Sequence, residues 1–263
     1  MSIIVRQPEF TFDAAVAGHW FGGDRFLTHF FNALSTTFPE GERLFIASVR
    51  RGAESLADTA LKEEISAFAR QEGQHSAVHD AHVAALIGEG YPWIGWLNHN
   101  QRGASRWLVK RHPRYALAVT VALEHITATL AEALLEDPQW TEPMSPTMQH
   151  LWRWHAVEEL EHRSVAFDVY AQRYGNHNFR RLTLVVAVTF LLLEICLRHS
   201  YLLWRDRTRA PIRWLAGNRT LWGRRGLLRL MVGSIPGFWR RDFHPQRHDV
   251  DALLSDAIVA NGL

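Results

Sequence analysis

Two stretches of this sequence place a glutamate three residues before a histidine. In Phe68-Ala69-Arg70-Gln71-Glu72-Gly73-Gln74-His75, Glu72 and His75 fall on one face if the segment is helical. His79 and His82 continue that face, where a core-facing helix ordinarily carries Leu or Val. In Trp154-His155-Ala156-Val157-Glu158-Glu159-Leu160-Glu161-His162, Glu159 and His162 repeat the spacing, and His155 precedes Glu159 by one turn. Leu151, Val165 and Val169 turn that face inward.

Two lone glutamates complete the set. Glu124 sits in an otherwise apolar run of Leu117, Val121, Leu123, Ile126 and Leu130. Glu42 follows Phe38-Pro39-Glu40-Gly41 and precedes Phe45, Ile46 and Val49, which puts it near an inner face. Depth in the helix favours Glu42 over Glu40, and spacing to His162 favours Glu159 over Glu158. Carboxylates converging on one core repel each other, and unpaired burial costs each roughly several kcal/mol. Protons, basic partners or cations must compensate, and the region is poor in lysine. A solvated polar face would explain scattered acids, but Glu124 has no polar stripe around it apart from His125.

The order Glu42, Glu72/His75, Glu124, Glu159/His162 on four successive helices is the donor pattern of ferritin-like dimetal bundles: one Glu from each of two helices, one Glu-x-x-His from each of the others. Mixed carboxylate and imidazole donors suit two iron ions, with manganese or zinc as alternatives. His79, His82, His125 and His155 are candidates for further ligands, outer hydrogen-bond partners or proton relays. His79 and His155 are the candidate general bases. Glu158 and Glu161 are expected to be exposed or to support the ligands from outside.

The elements that must position these residues are helical throughout. Strand-like alternation is sparse, and Gly and Pro punctuate long helical periods. Helices are expected over 26–38, with Pro39 starting or kinking the next to about Leu56, then 59–87 capped by Asp58. Tyr91 to Asn100 reads as a loop, followed by a short basic helix over 102–111. Further helices are expected from Pro113 to Leu135, from Ser145-Pro146 to about Tyr174, and over 179–205, before short pieces broken by Gly and Pro. The expected fold class is all-α: a ferritin-like four-helix bundle over 1–175, with a basic, Trp-rich helical extension over 176–263 packed on it.

Composition separates the same two parts. Residues 1–170 carry 14 Lys+Arg against 21 Asp+Glu, a balance of −7, whereas 171–263 carry 15 arginines against 6 acids, a balance of +9. Apolar residues make up 47% of the chain, enough for a sizeable core. The single cysteine, Cys196, excludes a disulfide framework, points to a reducing cytoplasm and reads as a buried, inert thiol. Met1 to Phe12 does not read as a signal peptide. Leu182 to Leu193 is an uncharged apolar segment shorter than the ~20 residues needed to span a bilayer.

The chain resembles a bacterial family described as predicted metal-dependent hydrolases, itself ferritin-like. The resemblance is carried by Phe38-Pro39-Glu40-Gly41-Glu42-Arg43, Glu72-Gly73-Gln74-His75-Ser76-Ala77-Val78-His79, Leu123-Glu124-His125, Trp154 to His162 with Ala166-Phe167-Asp168-Val169-Tyr170, and Asp242-Phe243-His244-Pro245. It covers nearly the whole chain and implies a metal-bound helical enzyme.

Three functions fit such a site. The first expectation is a di-iron oxidoreductase that activates dioxygen against an apolar or lipid-like small molecule. The alternatives are hydrolysis by a metal-activated water, with no Gly-x-Ser-x-Gly nucleophile present, and metal storage without catalysis. Arg198, Arg205, Arg207, Arg209, Arg213, Arg219, Arg224, Arg225, Arg229, Arg240, Arg241 and Arg247, interleaved with Trp204, Trp214, Trp222 and Trp239, suit peripheral contact with the anionic inner face of a membrane. A solvated arginine face packed back on the acidic bundle explains the same pattern. No motif supports nucleic-acid binding, and a homodimer is compatible with the sequence.

Overall fold

The structure, a computed structural model, describes residues 3–12, 18–207 and 211–263, with the side chains of 211–213 outside that description. Met1 and Arg209, and the side chain of Arg213, therefore lie outside the described residues. The fold is all-α. Among the described residues the only extended pairing is an isolated bridge between Phe21 and Met144.

The elements in order are α1 (Arg25–Ala53), α2 (Thr59–Gly88), α3 (Trp93–Arg111), α4 (Pro113–Glu136), α5 (Pro146–His162), α6 (Val165–Arg173), α7 (His177–Arg205), α8 (Pro211–Trp222), α9 (Leu227–Gly233), α10 (Ile235–Phe238) and α11 (Asp251–Asn261). Helices α1, α2, α5 and α4 pack in a closed ring, each against the next. Their shared interior holds Phe31, Val49, Phe68, Leu117, Ala122, Leu151 and Val157, all buried. Helices α3 and α7 lie against α1 and α4, and α11 lies against α5 and α4.

Local chemistry sets the helix ends. The Asp58 carboxylate accepts from the Leu61 amide at 3.1 Å, as its capping position requires, and Asp24 caps α1 through the Leu27 amide at 3.0 Å. Pro113 and Pro146 open α4 and α5 at the first turn, where a missing N–H costs nothing.

Three expectations about elements are corrected. Pro39 does not divide two helices: α1 runs through it. Proline removes a helical donor, yet nearby carbonyls are met from outside: Arg198 Nη1 donates to Thr36 O at 3.2 Å and Gln101 Nε2 to Thr37 O at 3.3 Å. Tyr91 to Asn100 is not a loop, because α3 begins at Trp93 and buries Ile94 and Leu97 against the core, a tertiary gain that overrides weak local propensity. The helix expected from Ser145 to Tyr174 breaks at Arg163–Ser164. The Leu160 carbonyl, which an unbroken helix would pair with the Ser164 amide, accepts from the Arg163 guanidinium instead.

The start of α1 and the end of α7 are tied at Asp206, whose carboxylate lies 3.1 Å from His19 Nε2, 3.3 Å from His29 Nε2 and 3.5 Å from Arg25 Nη1. Cys196 is exposed, contrary to the expectation of a buried thiol. It stands on the outward face of α7, where an apolar run does not imply burial.

Candidate metal centre

Each helix of the ring delivers acidic or imidazole side chains to one buried place. Helix α1 contributes Glu42, α2 Glu72 and His75, α4 Glu124, and α5 Glu159 and His162, all essentially without solvent exposure. The structure therefore brings together all six residues singled out from the sequence. Glu42, Glu72 and His75 converge as one group, and Glu72, Glu124 and His162 as another. Glu72 belongs to both. His75 Nδ1 lies 3.9 Å from Glu72 Oε2 and 3.6 Å from Glu159 Oε1, while His162 Nε2 lies 3.1 Å from Glu72 Oε1, 3.6 Å from Glu124 Oε2 and 3.7 Å from Glu159 Oε1.

These approaches are close without being aligned as hydrogen bonds. Both carboxylate oxygens of Glu42, Glu72 and Glu124, Oε2 of Glu159, Nδ1 of His75 and Nε2 of His162 have no hydrogen-bond partner. A buried polar atom left unmatched costs about 1–3 kcal/mol. So many acceptors facing one another, with few donors, is the arrangement a cation resolves. The residues present fit a metal site.

The outer partners of the two imidazoles fix which nitrogen faces inward. His75 donates Nε2–H to Glu158 Oε2 at 3.0 Å, leaving Nδ1 toward the carboxylates. His162 donates Nδ1–H to Gln71 Oε1 at 2.9 Å, leaving Nε2 toward them. Ligating histidines are characteristically oriented in this way. Glu158 is itself held by the Arg6 amide at 3.0 Å, and Arg6 Nη2 donates to Glu161 Oε1 at 2.8 Å, a carboxylate that also accepts from Gln71 Nε2 at 2.7 Å. Glu158 and Glu161 thus support the cluster from outside, and Glu158 is fully buried rather than exposed. Glu40 is buried too, but its carboxylate is satisfied by Arg102 Nη2 at 2.7 Å and Arg43 Nη1 at 2.6 Å. That pairing separates it from Glu42.

A chain of buried groups leads away from the carboxylates. His155 Nε2 lies 3.1 Å from Glu159 Oε1, His155 Nδ1 lies 2.8 Å from His79 Nε2, and Ser35 Oγ joins His79 Nδ1 at 2.8 Å to His82 Nδ1 at 2.7 Å. His125 is not part of either group; it approaches the Ser234 carbonyl at 3.3 Å and lines a separate cavity of about 500 Å³ with Arg163, His244 and His248. None of the six clustered residues lines that cavity.

With protein groups alone, burial pushes the carboxyls of Glu42, Glu72 and Glu124 well above the usual range. Neighbouring carboxylates push Glu42 and Glu72 the same way, while His162 opposes the effect at Glu124. Burial acts likewise on Glu159, but His162 and His155 outweigh it and hold that carboxyl well below its ordinary value. Burial would lower His162, yet Glu159 and Glu124 raise it to about 9. Burial, reinforced by His155, pushes His75 down to about 4.

Sequence reasoning missed Arg6, Gln71 and Ser35. Arg6 lies in an extended segment far from the motifs. Gln71 and Ser35 acquire their roles only by contacts between helices.

The molecule is thus an all-helical protein with a buried carboxylate–imidazole cluster suited to metal. The model of the family described as "Predicted metal-dependent hydrolase" matches residues 4–249, and the chain belongs to that family. No curated protein and no solved structure matches it.

Proposed function

We propose that this chain is a metal-dependent hydrolase whose α1–α2–α5–α4 ring is a ferritin-like bundle holding two metal ions. The bundle is assigned to residues 1–175 and its basic helical extension to 176–263. The observation that carries the reading is the set of unmatched buried acceptors on Glu42, Glu72, Glu124 and Glu159 beside the free nitrogens of His75 and His162. Family membership points to hydrolysis.

Glu42, Glu72, Glu124, Glu159, His75 and His162 would hold the ions, with Glu72 and Glu159 each within 4 Å of both imidazoles. A metal pair bound there supplies Lewis acidity and a nucleophilic water at neutral pH. Glu158 and Gln71 hold the two imidazoles in the tautomers that present Nδ1 and Nε2 inward. His155 and His79 serve as proton carriers. With each ring neutral, one polarity satisfies every bond: His82 Nδ1–H donates to Ser35, Ser35 to His79 Nδ1, His79 Nε2–H to His155 Nδ1, and His155 Nε2–H to Glu159. Passing one proton along every bond toward Glu159 swaps the tautomers of His155 and His79 and balances only when His82 Nε2 gains a proton in exchange. Phe38 stacks on His155, while Phe68 and Trp154 meet His162 and His75 edge-on, and these apolar walls keep water from competing for the bonds.

A second reading is favoured by the donor set itself. Four carboxylates and two imidazoles on four helices are the set that ferritin-like di-iron proteins use, and they suit oxidation of an apolar substrate by dioxygen. Loading the purified chain with zinc, manganese or ferrous iron decides between the two. Hydrolysis predicts turnover of ester or phosphoester substrates with zinc or manganese and indifference to oxygen. Oxidation predicts activity only with iron, and oxygen uptake matched to it. A chain that binds no stoichiometric metal overturns both.

A further inference from the structure

Helix α7 carries an outward face that the rest of the fold does not cover. Its inner side, with Leu184, Ala187, Val188, Ile195 and Leu202, is buried. Its outer side presents Leu182, Val185, Val186, Phe190, Leu193 and Leu197 to solvent, with Phe190 61% and Leu193 63% exposed. These positions recur at helical spacing and form one stripe. No exposed residue between Leu182 and Trp204 is charged, over about 33 Å of helix at ~1.5 Å per residue. The helix is long and apolar enough to cross a membrane, with mean hydropathy 1.9 over its best window, yet it is already anchored along one side. A water-facing surface of this kind calls for a partner.

The stripe ends in aromatic rings. Trp204, 71% exposed, meets Tyr201, which packs on Trp93, which stacks on Trp96, itself 57% exposed. Tryptophan placed where an apolar surface meets charged chain is the pattern of a lipid interface. Exposed Arg205 and Arg207 follow directly. The charge that selects the partner is the one at this end of the helix, two exposed arginines beside exposed tryptophans. A two-fold contact between copies through this face is isologous and would pair the uncharged stripe with itself, offering those arginines no anion. An anionic lipid surface complements them.

We propose that the outer face of α7, with Trp96 and Trp204 at its end, docks on an anionic membrane, the helix lying along the interface rather than crossing it. Anchored by its inner side to the rest of the protein, α7 offers its outer side as one apolar face, the surface an interfacial helix lays into the headgroup region. The proposal does not depend on the metal reading and is testable on the full chain with or without metal.

The experiment is co-sedimentation of the full-length protein with vesicles of phosphatidylcholine alone and of phosphatidylcholine with phosphatidylglycerol, at low and high salt. Binding is expected to the anionic vesicles, weakened by salt. The double variant F190E/L193E, on exposed positions, should bind them about tenfold less or worse, because carboxylates at the acyl boundary are costly. Its circular dichroism should match wild type, and W204A supplies an independent lesion should that variant fold poorly. Retention of the wild-type protein in the supernatant at low salt overturns the proposal. So does a wild-type dimer in sedimentation velocity that F190E/L193E makes monomeric, with no vesicle binding by either.

Discussion

His75 donates its Nε2–H to Glu158 at 3.0 Å, and that bond decides which of its nitrogens faces the carboxylates. Glu158 is in turn held by the Arg6 amide at 3.0 Å, so the N-terminal segment takes part in setting a tautomer on α2. Replacing Glu158 with Leu removes the acceptor and leaves the ring free to present either nitrogen. Metal affinity should fall about 10–100-fold, the usual cost of losing such an outer partner. Glu158→Gln keeps an acceptor oxygen and should lose much less. Competition with a chelating indicator measures both variants, and equal affinities for E158L and wild type would refute the tautomer argument.

Glu42 offers a sharper separation of stability from function. Both its carboxylate oxygens are buried and unmatched. Glu42→Leu should therefore stabilise the metal-free protein, by about 1–3 kcal/mol, while reducing the metal bound per chain. Thermal melts in chelator and metal analysis after dialysis read the two effects. A variant less stable than wild type without metal would mean that Glu42 is satisfied by the protein itself.

Much of this site was legible in the sequence because helical period alone places Glu72 with His75 and Glu159 with His162, and because Glu124 interrupts an apolar face. What was not legible depends on which surface meets which. Glu40 and Glu42 differ by what lies opposite them: Arg102 comes to Glu40 from α3, an element whose first turns read as loop. The apolar stretch around Cys196 looks the same in sequence whether it faces a core or solvent, so the exposure of that thiol could not be read from it. The break at Arg163 goes with a side chain taking a backbone carbonyl, which carries no periodic signal.

Metal binding should release protons. Without a cation, Glu42, Glu72 and Glu124 keep their protons well above the ordinary carboxylate range, and His162 keeps its proton to about 9. All must lose them to act as ligands, so apparent affinity should rise with pH from above the ordinary carboxylate range up to about 9, where His162 loses its proton. The same shifts set the sign for stability. A carboxyl whose pKa is raised on folding binds protons more tightly in the native state, so the metal-free protein loses stability as pH climbs past the ordinary value. For His162, also raised, the contribution is full below about 6.5 and disappears as pH passes about 9. Titration calorimetry in buffers of different ionisation enthalpy should show release of at least about one proton per chain at neutral pH. Buffer-independent heats would contradict these protonation states.

Arg198 is fully buried in α7 and binds Glu194 at 3.2 Å, Asn98 at 2.6 Å, Gln101 at 2.9 Å and the Thr36 carbonyl at 3.2 Å. It joins α7 to α3 and to the Pro39 turn of α1. Arg198→Ala would strip donors from several buried acceptors at once and should cost about 3–5 kcal/mol. Arg198→Lys keeps the charge but not the planar fork and should fall between. Chemical denaturation followed by far-ultraviolet dichroism measures both. A loss under about 1 kcal/mol for Arg198→Ala, the range typical of exposed pairs, would show that these bonds do not hold α7 in place.

Ser35 is the one hydroxyl between His79 and His82, and it passes on to His82 the polarity that Glu159 sets at the other end of the chain. Ser35→Ala removes both the acceptor for His82 Nδ1–H and the donor to His79 Nδ1. The tautomer of His79 then loses its constraint on one side, and the direction of its bond to His155 is set only by Glu159. Nitrogen-15 spectra of labelled histidine should show distinct, singly populated tautomers for His79 and His82 in the wild-type protein, and in Ser35→Ala a mixed population for His82, with His79 still held by His155. Ser35→Thr restores the hydroxyl and should restore the wild-type pattern. The variant lies off the six clustered residues, so bound metal per chain should stay unchanged in both. Identical tautomer populations in Ser35→Ala and wild type would show that the hydroxyl is a bystander and that protons do not reach His82 by this route.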